Sequence, residues 1–301
     1  MSIARAQFVS LFLLLALPMV LCGTTARAAD QVAIKSGQKL AFLGDSITQF
    51  GNDHPSGYVR LVISGLKAND IDVTPIPAGI SGHTSRDMIA RIDRDVIQKK
   101  PDWMTLSCGV NDVWHGANGV DLETYRRNIT NMVDRAQTAG IKVMLLTSTM
   151  IGEDQSNPNN QKLIPYNDFL RELAKEKGCL LADLNGDMQA AVTAAGGGQP
   201  GSIRTLTVDG VHMNPAGNLM MAEGVLKAFG LDDVQLRRAR ESWLDIPQAV
   251  EASARVMLTL RQWNQLNAIA SSKHKTVADM LNETFNQSVE SMIADAGAPT
   301  K

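Results

Sequence analysis

The chain has 301 residues, with 29 lysines and arginines against 31 aspartates and glutamates, a formal net charge of -2. That balance argues against the basic footprint of a nucleic-acid-binding protein and against a polybasic membrane patch. Three cysteines are too few for a disulfide scaffold.

In chain order, the first segment reads as a signal peptide, residues 1–28. Arg5 supplies a positive start, Phe8 to Leu21 an apolar core broken by Ser10 and Pro18, and Ala26-Arg27-Ala28 a small-residue cleavage site. The apolar run is too short to span a membrane, which takes ~20 residues. Cys22 raises the question of a lipid anchor. Leu21 stands where a small residue would precede such a cysteine, so the reading is a cleaved, secreted or periplasmic protein without stable membrane insertion.

Residues 29–230 form the expected main domain. Leu40 to Leu43 reads as a strand entering Gly44-Asp45. Val59, Val62, Ile63 and Leu66 recur at helical spacing. A strand is expected over Ile71 to Ile76, with Pro75 and Pro77 confining its end to a sheet edge or a loop. Met88, Ile89, Ile92 and Val96 mark a helix, Trp103 to Cys108 a strand, and Leu122 to Ala136 a long helix stopped at Gly140. Val143 to Leu146 is a strand, followed by a polar loop over 152–160. Leu163, Tyr166, Leu170 and Leu173 give a helix, Cys179 to Leu181 a strand, and Pro215 to Phe229 a helix capped by Asn214. Strand-helix alternation means a parallel sheet covered on both faces, with ligands beyond the carboxyl ends of the strands.

Residues 231–301 carry no strand signal and read as a helical extension of unknown partner. Val250, Ala254, Met257 and Leu260 have helical spacing, as do Leu281, Phe285, Val289 and Met292. Cys108 ends one expected strand and Cys179 begins another, too far apart for a bridge, so both read as buried free thiols.

Four short segments carry chemistry: Gly44-Asp45-Ser46-Ile47-Thr48, Gly79-Ile80-Ser81-Gly82, Gly109-Val110-Asn111-Asp112 and Asp209-Gly210-Val211-His212. Ser46 lies where a strand turns into a helix, which suits a nucleophile and equally suits an N-cap serine. Asp45 reads as a turn residue. His212 can serve as the base, with Asp209 fixing its tautomer; taken alone, the segment is also a simple surface turn. The backbone N–H groups of Ser46 and Gly82 and the side-chain amide of Asn111 are candidate oxyanion donors. Trp114 and His115 follow the Asn111 loop. Trp114 either stacks on a sugar ring or packs under the loop, and His83 either lines a pocket or is a solvated loop residue. His54 and His274 lack metal-ligand spacing, and no metal or cofactor is expected.

With these four blocks the chain resembles the SGNH hydrolases, the GDSL esterase/lipase superfamily, over roughly Lys39 to Phe229. It is most similar to the secreted carbohydrate-esterase-like and acetylhydrolase-like branch. It departs from the family pattern at Pro77, where an asparagine often stands, and at His83, where Asp or Asn often follows the glycine. The resemblance implies a flavodoxin-like three-layer α/β/α sandwich with strand order 2-1-3-4-5. It also implies metal-independent ester hydrolysis of a small-molecule or polysaccharide ester. The expected activity is removal of short acyl groups, acetyl foremost, from carbohydrate. The alternatives are a lipase, thioesterase or lysophospholipase of the same superfamily, or a non-catalytic scaffold acting through the helical tail.

Overall fold

A computed structural model describes residues 32–247 and 256–297. The segment read as a signal peptide lies outside the described residues. The chain divides into two compact units, one up to Val250 and one from Glu251.

The first unit is built on a five-stranded parallel sheet. Its strands are β1 (Lys39–Gly44), β2 (Thr74–Gly79), β3 (Trp103–Ser107), β4 (Lys142–Leu146) and β5 (Leu180–Ala182), in the order β2-β1-β3-β4-β5. Leu40, Ala41, Phe42 and Leu43 are all buried, as is every residue of β3. Continuous burial is what a parallel strand covered on both faces requires. The expected order 2-1-3-4-5 and the three-layer architecture are therefore those of the protein.

Strand β2 begins later than the expected Ile71. Asp70 takes a left-handed φ of 61°, and the Ile71 N–H donates to Leu66 O at 3.0 Å. Residues 68–71 thus close the preceding helix in a left-handed cap, and extension starts only at Thr74. Pro75 and Pro77 lie inside β2, paired with Leu40 and Phe42. They are tolerated because β2 is an edge, where a missing N–H breaks no ladder on the open side.

The covering helices are α1 (Ser46–Asp53), α2 (Tyr58–Lys67), α3 (Ser85–Asp95), α4 (Val110–Trp114), α5 (Leu122–Thr138), α6 (Pro158–Lys177), α7 (Leu184–Ala194), α8 (Pro215–Ala228) and α9 (Asp233–Leu244). Helices α3, α5 and α6 pack in series; α2 packs with α8 and α9, and α7 with α8. Right-handed crossovers put these two groups on opposite faces, because the chain reverses direction across the sheet after β2.

Three of these helices differ from the sequence expectation. Helix α4 occupies what was read as the Asn111 loop. Helix α7 was not anticipated; its stripe of Leu184, Met188 and Val192 is interrupted by Gly186 and Asp187. Helix α9 lies beyond the expected boundary at 230, yet Leu236, Ala239 and Trp243 are buried in the main core. The Trp243 indole N–H donates to Leu61 O at 3.0 Å.

The second unit holds α10 (Leu260–Ser272) and α11 (Val277–Asp295), each opened by a capping box, Thr259 with Gln262 and Thr276 with Asp279. Leu281, Phe285, Val289 and Met292 fall in α11, as their spacing predicts. The helix expected through Met257 does not form there. Thr259 caps a helix that starts only at Leu260, and Val250 and Ala254 lie outside the described residues. Cys108 is buried and free; Cys179 is free but only half-buried, a correction to the expected burial. Among the described residues no helix is long and apolar enough to cross a membrane.

Candidate active site

The site forms beyond the carboxyl ends of β1, β2 and β3. Strands β1 and β3 are the neighbours between which the chain reverses direction, the place where open α/β sheets bind ligands. Strand β1 ends at Gly44, and Asp45 caps α1 by accepting from Ile47 N–H at 2.9 Å. Ser46 is therefore the first helical residue, its side chain at the positive end of the helix dipole.

Ser46 Oγ lies 2.8 Å from His212 Nε2, and His212 Nδ1 lies 2.6 Å from Asp209 Oδ2. Asp209 Oδ1 accepts from the backbone N–H groups of Val211 at 2.9 Å and His212 at 2.8 Å. Partial burial works to raise the Asp209 pKa, but these hydrogen bonds and the imidazole prevail and hold it at about 2. An ionised carboxylate only accepts hydrogen bonds. His212 Nδ1 must then carry a proton, and in the neutral imidazole Nε2 is the acceptor facing the serine hydroxyl. The Phe50 ring lies against the imidazole, centroids 5.0 Å apart.

Gly82 adopts φ +78°, a conformation that other residues rarely take. Its loop is tied to α1 through Gln49 Oε1, which accepts from Ser81 N–H and Ser81 Oγ, both at 2.8 Å. The backbone N–H groups of Ser46 and Gly82 have no acceptor among the described residues. Asn111 is buried on α4, and its side-chain amide donates to His83 O at 3.0 Å. One amide hydrogen fixes the side chain and the other stays available.

Beneath the site lies a set of polar groups centred on Arg91, which sequence reasoning did not single out. Arg91, 5% exposed, donates to Gly44 O and Ala78 O at 2.8 Å each, and to Asp95 Oδ2 at 3.0 Å. It thereby holds the last carbonyl of β1 and the penultimate carbonyl of β2. Its Nε donates to His83 Nδ1 at 3.0 Å. Burial, followed by the Arg91 charge, lowers the His83 pKa. Asp112 accepts from the Ser85 N–H at the start of α3 and from Cys108 Sγ. Burial pushes the Asp112 carboxyl upward, and burial together with the Asp112 charge raises Asp45 to about 6. Arg91 carried only the signal of a charge on an amphipathic helix, which ordinarily marks a solvated face.

A cleft of about 400 Å³ opens beside Asp209. Its walls include Trp114, Glu153, Asp154, Asn157, Arg204 and Asp209. Trp114 is 45% exposed, so it stands on the cleft wall and does not pack under the loop. His115 is exposed, and neither it nor His83 lines this cleft. The residues the structure brings together are thus Ser46, Asp209 and His212, with Gly82 in an adjoining loop and Asn111 on α4. Among the described residues no cluster of His, Cys, Asp and Glu is arranged to hold a metal.

Residues 42–219, more than half of the chain, match the model of the GDSL-like lipase/acylhydrolase family. The chain belongs to that family. It is a carboxylic ester hydrolase of the SGNH superfamily. It is 29% identical to an acetylxylan esterase of Geobacillus stearothermophilus over 223 residues, 68% of this chain and 99% of that protein. It is 27% identical over 250 residues to an uncharacterized lipoprotein of Bacillus subtilis, covering 73% of this chain and 96% of that one. Among solved structures, an alpha/beta hydrolase from the Lake Arreo metagenome, Spain, superposes with a TM-score of 0.60 at 30% identity, covering 66% of this chain and 98% of that chain. The Geobacillus esterase superposes with a TM-score of 0.59 at 29% identity, covering 66% and 97%. Solved variants of that esterase described as catalytic mutants replace a serine, an aspartate and a histidine.

Proposed function

We propose that this esterase is exported and removes short acyl groups, acetyl foremost, from carbohydrate, using Ser46, His212 and Asp209. The observation that carries the mechanism is the unbroken chain from Ser46 Oγ through the imidazole to Asp209 Oδ2, with links of 2.8 and 2.6 Å. The serine hydroxyl gives its proton to Nε2 as its oxygen bonds to the ester carbonyl carbon. Asp209 stabilises the imidazolium so formed. The N–H groups of Ser46, Gly82 and the Asn111 amide receive the oxyanion. The tetrahedral species collapses, the leaving alcohol takes the proton from Nε2, and the acyl group stays on Ser46. Water then attacks, again deprotonated by His212, and releases the acid and free serine.

The substrate class rests on the cleft and on kinship. The cleft wall is mostly polar around a single half-exposed tryptophan, which suits a sugar ring stacked on an aromatic face and edged by hydrogen bonds. A long acyl chain would need an apolar wall. The related Geobacillus protein is an acetylxylan esterase. Export rests on the signal-like residues 1–28.

The test is turnover of p-nitrophenyl acetate and acetylated xylan by the native chain and by Ser46→Ala. The variant should stay folded, because the cap of α1 is Asp45 and loss of the Ser46 hydroxyl removes its one hydrogen bond to His212, about 1 kcal/mol, and should lose all but a trace of activity. A fluorophosphonate should label Ser46 alone. Full activity in a clean Ser46→Ala preparation removes this serine as nucleophile. Preference for long-chain over acetyl esters removes the substrate assignment.

A further inference from the structure

One carboxylate on the cleft wall gathers five hydrogen bonds from a single short segment. Glu153 Oε2 accepts from Thr205 N–H at 2.6 Å and Thr205 Oγ1 at 2.8 Å. Its Oε1 accepts from Leu206 N–H at 2.9 Å and from Thr207 N–H and Thr207 Oγ1 at 2.7 Å each. Glu153 is 7% exposed. Burial alone would raise its pKa, but these donors outweigh it and keep the group below the ordinary glutamate value. No cation is needed to hold the charge, because three backbone N–H dipoles and two hydroxyls converge on it.

The segment that Glu153 grips is the stem of the hairpin bearing Asp209 and His212. That hairpin closes on itself through Val208 N–H to His212 O and Asn214 N–H to Leu206 O, both 2.9 Å, with a bridge between Thr207 and Met213. These bonds fix its shape. They do not fix where it stands relative to Ser46, which comes from a different strand end. Two ties set that position from the β4–α6 loop. The Gly152 N–H donates to Gly210 O at 2.5 Å at the turn, and Glu153 holds the stem. The loop is itself fixed from α6. Asn160 Oδ1 accepts from Ile151 N–H at 2.8 Å, and its amide donates to Gly152 O at 3.1 Å and Asp154 O at 2.7 Å.

We infer that Glu153 is the positioning residue of the catalytic pair, holding the Asp209–His212 hairpin at hydrogen-bonding distance from Ser46. The inference rests on the triad assigned above. It differs from a stabilising role in what it controls, since a displaced hairpin keeps its fold and loses its aim. A shift of ~1 Å in a reacting group can cost ~10²-fold in rate.

Glu153→Gln tests this, because the amide exchanges an acceptor for a donor against N–H groups that can only donate. In folded protein, kcat for p-nitrophenyl acetate should fall ~10- to 100-fold with KM nearly unchanged. Fluorophosphonate labelling of Ser46 should slow in parallel. The far-downfield proton resonance expected for the short His212–Asp209 hydrogen bond should shift or broaden. Unchanged kcat, labelling rate and resonance overturn the inference. Should Glu153→Gln fail to fold, Thr207→Val and Thr207→Ser decide. Loss of kcat in the valine variant with recovery in the serine variant supports positioning through the hydroxyl, and equal kcat in all three chains refutes it. If the native chain neither turns over ester nor labels at Ser46, the triad itself is wrong. The resonance comparison still shows whether Glu153 places the pair.

Discussion

Asp45→Asn should make the protein more stable and less active, and the stability gain should depend on pH. Asp45 is 2% exposed and caps α1 through one oxygen. Burial, reinforced by the Asp112 charge and only partly offset by the Ile47 N–H bond and His212, raises its pKa from 3.8 to about 6. A carboxyl whose folded pKa lies above its unfolded value stabilises the fold while protonated, and that contribution is lost as pH rises through the folded value. At pH 8 the shift of roughly 2 pKa units corresponds to ~3 kcal/mol, at 1.36 kcal/mol per unit. At pH 4.5, where the folded-state carboxyl is mostly protonated, only ~1 kcal/mol of that penalty remains. Asparagine keeps the capping oxygen and carries no charge, so these figures bound the gain. At ~2–4 °C per kcal/mol for a unit of this size, Tm should rise by up to ~6–12 °C at pH 8 and by less than half of that at pH 4.5. Calorimetry at the two pH values reads the difference directly. The charge of Asp45 also interacts with His212, which on the proposed mechanism becomes cationic during attack, so kcat should fall while Tm rises, the usual opposition between stability and a charged active site. An equal gain at both pH values, or none at pH 8, would show that a buried charge is not what the native residue carries there.

Asn111→Ala should lower kcat by ~10²–10³ with little change in KM, because the oxyanion forms only on the way to the transition state; steady-state kinetics on an acetyl ester measures it. Gly210→Ala forces a side chain onto φ +101°, with Gly152 Cα 3.4 Å from the new carbon. It should cost ~1–3 kcal/mol of stability and slow fluorophosphonate labelling, and an unchanged melting curve would count against that strain. Trp243→Ala should cost ~3–5 kcal/mol, seen as a lower Tm. A chain ending at 230 should melt lower still, since it loses Leu236 and Ala239 as well; melting equal to the full chain would show that α9 adds nothing to the sheet unit.

Much of the sheet was legible because buried parallel strands announce themselves as unbroken apolar runs, as in Leu40 to Leu43. The ends of strands were less legible. At Asp70 a left-handed helix cap occupied residues whose apolar pattern suggested extension. The short segments holding Ser46, Asp209 and His212, which the structure brings within hydrogen-bonding distance of one another, were readable as motifs, as was the one holding Asn111. Glu153 and Arg91 were not. The partners of Glu153 lie 52–54 positions away, and the strand carbonyls that Arg91 holds lie 13 and 47 positions away, and a carboxylate that binds backbone N–H groups leaves no periodicity to read. Helix α9 carried its signal, Leu236, Ala239 and Trp243 at helical spacing, but the end of the strand pattern at Leu231 drew the boundary too early.

Ser46 and His212 meet across 166 positions of chain. The serine belongs to the first strand-helix turn of the sheet, and the histidine it meets arrives only after all five strands have been laid down. Topologies dominated by such distant pairings form slowly. On the proposed mechanism, until the last hairpin docks the serine is an ordinary alcohol with no acceptor for its proton. Fluorophosphonate reactivity during refolding is therefore a clock for the final step of assembly, and should lag behind the recovery of secondary structure. On that mechanism, a chain interrupted anywhere before residue 209 would be chemically silent toward esters, however much of its sheet it had already formed.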